Sequence, residues 1–209
     1  MPIKNTQTLS DLRGFILQPR RSNNHMDKPR NFYKDTFHHL YNRGAFQHEI
    51  FIEKNDCEYF LRKLLEYKEK WEVRIRCYCL MPNHYHLFVQ QTTSDKTISQ
   101  FISELSNAFT KGMNKKYKRK GVLFESKVKS KWIEDETYFK WVVKYILDNP
   151  VKAGLAKNII DYEFSSAREI FGIASKAITD VEFLSGYFHS KTELRKFILE
   201  EGNTSIYEF

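Results

Sequence analysis

The chain of 209 residues carries 34 Lys and Arg against 26 Asp and Glu, a net charge of +8, which disfavours cationic partners and favours anionic ones, nucleic acid foremost. Its length suits one domain with extensions, and no apolar run reaches the roughly 20 residues of a membrane helix. MPIKNTQTLSDLRG lacks the apolar centre of a signal peptide, so a cytoplasmic protein with no membrane partner is expected.

The three cysteines, Cys57, Cys77 and Cys79, make neither an even set nor paired CxxC units, and are expected as buried free thiols rather than disulfides or a zinc site. The 17 Phe and 12 Tyr exceed the needs of a modest core, and exposed rings among them can stack on unpaired bases.

Residues 1–30 are polar and basic, end in QPRRSNNHMDKPR and keep no period; they read as an arm. FHHLYNRG, residues 37–44, reads as a short strand closed by a turn at 42–44. Cys57, Phe60, Leu61, Leu64 and Tyr67 then fall on one helical face, with Asn55 or Asp56 as N-cap. Residues 71–80 read as a strand with Val73, Ile75, Cys77 and Cys79 on one face. MPN, residues 81–83, is turn chemistry, and residues 84–90 are the return strand of a hairpin. A second helix is expected from Thr97 or Ile98, because Ile98, Phe101, Ile102, Leu105, Phe109 and Met113 keep helical spacing.

That helix runs into KKYKRKG, with five cations in seven residues. In residues 127–133 Val128, Ser130 and Trp132 alternate with Lys127, Lys129 and Lys131, as on a half-buried strand. Asp135 suits the N-cap of a third helix of about 14 residues that Pro150 is expected to stop after Asn149. The order strand, helix, strand, strand, helix, strand, helix gives an α+β fold: a ferredoxin-like β-α-β-β-α-β antiparallel sheet, with an added helix and terminal extensions. The expected division is a basic arm over 1–30, a central domain over 31–155 and a helical extension over 156–209, which includes a last amphipathic helix over 191–200.

Within CYCLMPNHYHLFVQ, residues 77–90, His84 and His86 are one residue apart on a strand, so both imidazoles point to the same face and can share one ligand. Such a pair suits zinc, manganese or another first-row metal with positions left open. A core histidine beside an exposed one has the same appearance. In KWVVKYILDNPVKAGL, Tyr145 and Asn149 lie one helical turn apart, on a stripe with Tyr138, Trp141 and Val142. Periodicity does not single Tyr145 out among the 12 tyrosines.

HLYNRG, CLMPNHYHLFV, GVLFESKVK, YILDNPVKAGL and YEFSSA occur in an order and spacing that resemble the REP-associated tyrosine transposases, single-tyrosine HUH enzymes of the insertion-sequence type, over about residues 33–170. The resemblance implies an endonuclease and strand transferase for single-stranded DNA. It implies that His84, His86 and Asn149 hold a divalent metal, Mg2+ or Mn2+, and that Tyr145 on the added helix is the nucleophile. The family's motif has a bulky hydrophobe between the histidines, so Tyr85 is a mild departure that leaves the ligands in place.

The implied partner is a hairpin of single-stranded DNA. Arg43, the run Lys115, Lys116, Lys118, Arg119 and Lys120, and the strand lysines Lys127, Lys129 and Lys131 are its candidate phosphate contacts. Tyr117 and Phe124 are candidate stacking rings, and the N-terminal arm a further backbone contact. Monomer and homodimer both stay open. The rival reading is a domesticated DNA- or RNA-hairpin-binding protein without catalysis.

Overall fold

The computed structural model describes residues 32–200; the basic arm expected over 1–30 lies outside them. In chain order come β1 (Phe37–Arg43), a 3-10 turn (Ala45–Gln47), α1 (Lys54–Lys70), β2 (Val73–Met81), β3 (His84–Gln91), α2 (Ile98–Lys116), β4 (Lys129–Ile133) and α3 (Glu136–Lys152). A second 3-10 turn (Ile159–Asp161) and the short helices α4 (Ala167–Ile170), α5 (Val181–Gly186) and α6 (Lys191–Leu199) follow. The strands form one antiparallel sheet in the order β2-β3-β1-β4, so the α+β arrangement read from the sequence is the one observed.

Both faces of the sheet are covered. On one, Leu40, Tyr85, Leu87 and Val89 pack with Phe60 and Leu64 of α1 and with Phe101, Leu105 and Phe109 of α2. On the other, Phe37, Cys79 and Phe88 pack with Phe139, Val142 and Ile146 of α3, and Leu184, Leu194 and Ile198 of the C-terminal helices close the same core. Strand alternation therefore serves two cores, and β3, paired on both sides, is buried along nearly its whole length. The six apolar residues expected on the α2 face are all buried, and Thr97 caps that helix by accepting from the Gln100 N–H at 3.3 Å. All three cysteines are free and buried.

Four local expectations are corrected. First, α1 is capped by Glu53 rather than Asn55 or Asp56; Asp56 sits in the first turn and accepts from the backbone N–H groups of Ile52 and Glu53, both at 3.0 Å. Second, β2 does not keep Val73, Ile75, Cys77 and Cys79 on one face. A bulge between Ile75 and Cys77 inserts Arg76 as an extra residue, which moves later side chains to the opposite face. Val73 and Ile75 enter the helix α1–α2 core, and Cys77 and Cys79 the α3 core.

Third, β4 begins at Lys129 and lies at the edge of the sheet; Val128 is buried, but Trp132 is 47% exposed. Fourth, Pro150 does not end α3, which runs to Lys152. The ring replaces only one N–H in the last turn, while Ala153 N–H reaches Asn149 O at 3.0 Å and Leu155 N–H reaches Pro150 O at 2.8 Å, so the turn stays closed.

Candidate active site

The hairpin puts His84 at the start of β3, opposite Arg43 of β1 and Met81 of β2. Period-two alternation turns His84 and His86 to the α3 side of the sheet, while Tyr85 points into the opposite core, fully buried, with its ring 5.1 Å from that of Phe60. The departure at Tyr85 thus leaves the histidine face undisturbed. Helix α3 crosses this face and brings Tyr145 over the pair: its ring lies 5.5 Å from the His86 ring at 83°, and 6.0 Å from the His39 ring. Trp141, one turn earlier, stacks on Tyr145 at 4.9 Å. His84, His86, Tyr145 and Asn149 line one cavity of about 470 Å3, together with Arg43 and Lys129.

Each imidazole has one nitrogen engaged. His84 Nδ1 lies 2.6 Å from Asn83 Oδ1, and His86 Nδ1 lies 2.9 Å from His39 Nε2. His86 Nε2 is buried without a hydrogen-bond partner, a costly state unless a ligand occupies it. Asn149 Nδ2 donates to the Tyr145 carbonyl at 2.6 Å, which leaves Oδ1 as the amide atom that could meet an ion. Among the described residues no group of three or more His, Cys, Asp or Glu side chains could hold a metal, so an ion here would rely on two imidazoles and a neutral amide. That donor set fits a first-row divalent ion with open positions; Asn83 Oδ1, which can only accept, fixes the Nδ1–H tautomer of His84, and His39 Nε2 can accept in the same way from His86.

Burial, assisted by Arg43, pushes the His84 pKa down to about 4; burial and then His39, His84 and Arg43 hold His86 well below its ordinary value. Both are therefore neutral at pH 7, the form that binds metal. Burial raises the Tyr145 phenol, the nearby Tyr41 adds to that, and hydrogen bonding to Asn149 and the charge of Arg43 oppose it. The phenol is protonated at neutral pH.

The predicted basic residues separate into two sets. Arg43 and Lys129 line the cavity, and Lys131 lies near enough to His39 to help lower its pKa. Lys127 is exposed ahead of β4. Lys115, Lys116, Lys118, Arg119 and Lys120 lie at the end of α2 and just beyond it, in the layer on the other side of the sheet. Lys116 is held by Asp56 at 2.6 Å and Glu53 at 3.0 Å, and Tyr117 Oη donates to Asp56 at 2.7 Å. These two tie α2 to the start of α1. Phe124 packs against the first core, 5.9 Å from the Tyr85 ring. His39, Tyr41, Asn83 and Glu125 belong to the site or its support and were not found from the sequence. Only the β1–β3 register brings His39 diagonally beside His86.

Among solved structures, a REP-associated tyrosine transposase bound to a REP hairpin matches 75% of this chain and 93% of its own, with a TM-score of 0.59 and 19% identity. A Deinococcus radiodurans R1 protein assigned as a transposase matches 59% of this chain and 97% of its own, with a TM-score of 0.41 and 16% identity. No curated protein matches the chain. The first likeness is one of fold. The model of the IS200-like transposases matches residues 33–149, from just before β1 through Asn149 at the far edge of the site, and the chain belongs to that family.

Proposed function

We propose that the protein is a REP-associated transposase that cleaves and rejoins single-stranded DNA beside a hairpin, with Tyr145 as nucleophile and His84, His86 and Asn149 as metal ligands. The observation that carries this reading is the convergence of the Tyr145 ring, 5.5 Å from His86, on a histidine whose second nitrogen is buried and unsatisfied. Mg2+ or Mn2+, when bound, supplies a Lewis acid for the scissile phosphate. Neutral ligands leave the ion's charge nearly intact for that role.

The chain's own groups supply position. Tyr145 and Asn149 share one helical face, so the nucleophile and a ligand move as one rigid unit. Tyr145 loses its proton and its Oη forms a bond to phosphorus; the bond to the 3′ oxygen breaks, and that oxygen takes up a proton. The products are a 5′-phosphotyrosine link and a 3′-hydroxyl. One phosphodiester replaces another, so a 3′-hydroxyl can reverse the step and join new ends. Arg43 and Lys129 line the cavity as phosphate contacts, with Lys131 behind them; Lys127 and the run Lys115 to Lys120 supply salt-dependent attraction outside it. On this reading 31–155 is the catalytic unit and 156–209 an extension, whose helices up to Leu199 close the α3 core.

The test is cleavage of labelled single-stranded DNA carrying the hairpins beside the gene, with Mn2+. Wild type is expected to nick it, and chelation, His84→Ala or His86→Ala to stop nicking while thermal unfolding stays cooperative. Tight hairpin binding by a folded, metal-loaded wild type that never nicks would favour the binding-only alternative.

A further inference from the structure

We propose that Phe46 is a stacking platform for an unpaired base of the DNA strand that enters the cavity; this rests on the function proposed above and adds to it a contact outside the chemistry. Phe46 is 87% exposed and belongs to neither core. Its ring meets only that of His48, at 6.0 Å, among the described aromatic contacts. Its backbone is left-handed, with φ 55° and ψ 25°, and Gln47 follows at φ 60°. L-residues other than Asn, Asp and Gly rarely adopt that region, least of all bulky ones. A large apolar ring in an unfavourable backbone state, with no packing to repay it, points to a role outside the fold.

The loop is fixed rather than loose. Gln47 N–H donates to Gly44 O at 3.0 Å, His48 N–H to Ala45 O at 3.1 Å and Ala45 N–H to Leu123 O at 2.9 Å. Gly44 permits this closure, because a Cβ there would lie 2.1 Å from the His48 carbonyl oxygen. The same loop is joined to the catalytic face. Gly44 N–H donates to Asn83 O at 2.8 Å, and Asn83 Nδ2 reaches Gln47 O at 3.4 Å while its Oδ1 meets His84 Nδ1. Phe46 therefore stands on a rigid mount beside His84, three residues after Arg43. The segment that supplies Leu123 also carries the cations Lys118 to Lys120. An exposed π face on a fixed support, three residues after the cavity-lining Arg43, is the combination that holds single strands.

The experiment uses the full chain and two synthetic DNAs: a hairpin from beside the gene with its single-stranded flank, and the same hairpin without the flank. Phe46→Leu keeps an apolar side chain without a π face, Phe46→Trp keeps the π face, and Phe46→Asn suits the left-handed backbone. Expected are a loss of roughly 5- to 100-fold in affinity for the flanked hairpin with Phe46→Leu and Phe46→Asn, near-wild-type affinity with Phe46→Trp, and no change for the unflanked hairpin. Phe46→Asn is also expected to raise the thermal midpoint while it weakens binding, an opposition that a structural role does not produce. A 2-aminopurine in the flank should be quenched by wild type and not by Phe46→Leu.

Wild-type binding that no Phe46 variant alters, or an equal loss on both DNAs, overturns the inference and leaves the proposed function standing. A folded wild type that binds neither DNA overturns both.

Discussion

His86 is the residue on which the site turns. One nitrogen is bonded to His39 and the other is buried with nothing to meet. For His86 to present Nε2 to a metal, its Nδ1 must carry the proton and donate to His39 Nε2, so His39 sets the tautomer and the plane of the ring. His39→Ala is expected to weaken Mn2+ binding by roughly 10- to 100-fold, with partial recovery in His39→Gln; titration calorimetry on the metal checks both. Unchanged affinity in His39→Ala would make the contact incidental. The histidine pair was legible because a one-residue spacing on a strand fixes the face. His39 was not, since its role depends on how far β1 slides along β3, and the adjacent His38 is an equal candidate that points to the opposite face.

At the scale of elements, α3 carries both the proposed nucleophile, Tyr145, and the proposed ligand, Asn149, and its start is set by Asp135, whose carboxylate accepts from Tyr138 N–H at 2.7 Å. Asp135→Ala is expected to cost about 1 kcal/mol, read as a lower urea midpoint with unchanged slope; no change would mean that packing alone fixes the helix start. This cap was legible because an N-cap is a local interaction. The helix end was not: Pro150 has the local signature of a stop, yet tertiary packing and the closing bonds from Ala153 and Leu155 carry the helix onward.

The β2 bulge was hidden for a different reason. After Arg76 the run CYCLM, residues 77–81, serves either face, and the irregularity is supported from a distant part of the chain. Arg76 is buried and pairs with Asp180 at 2.9 Å, its guanidinium 3.4 Å from the Phe183 ring centroid.

Across the whole molecule, helices on both faces bury an unusual number of histidines in and beside the sheet. Burial pushes His38 down to about 4 and, with Lys131, His39 down to about 3. In the unfolded chain each titrates near 6.5, so between about 4 and 6.5 the unfolded state binds more protons. Acid therefore favours unfolding, and stability present above pH 6.5 is lost as pH falls through the folded values. His38 alone is worth on the order of 3 kcal/mol over that window.

The metal-free protein is expected to show a falling urea midpoint from pH 7 to 4.5, and His38→Gln to flatten that slope by about one proton. An unchanged slope in the variant would assign the acid sensitivity elsewhere. The strand and helix order at this scale was readable because periodicity and turn residues agree along the chain. The two-core division was not, since it follows from three-dimensional strand order.

The central claim is that Tyr145 attacks DNA. The measurement that tests it most directly is a denaturing gel for a covalent protein–DNA adduct, formed with Mn2+ and labelled single-stranded DNA from the flanking hairpins, for wild type and Tyr145→Phe. The account predicts an adduct with wild type and none with Tyr145→Phe, although the variant still binds the hairpin. An adduct that persists in Tyr145→Phe would contradict it and assign the attack to another residue.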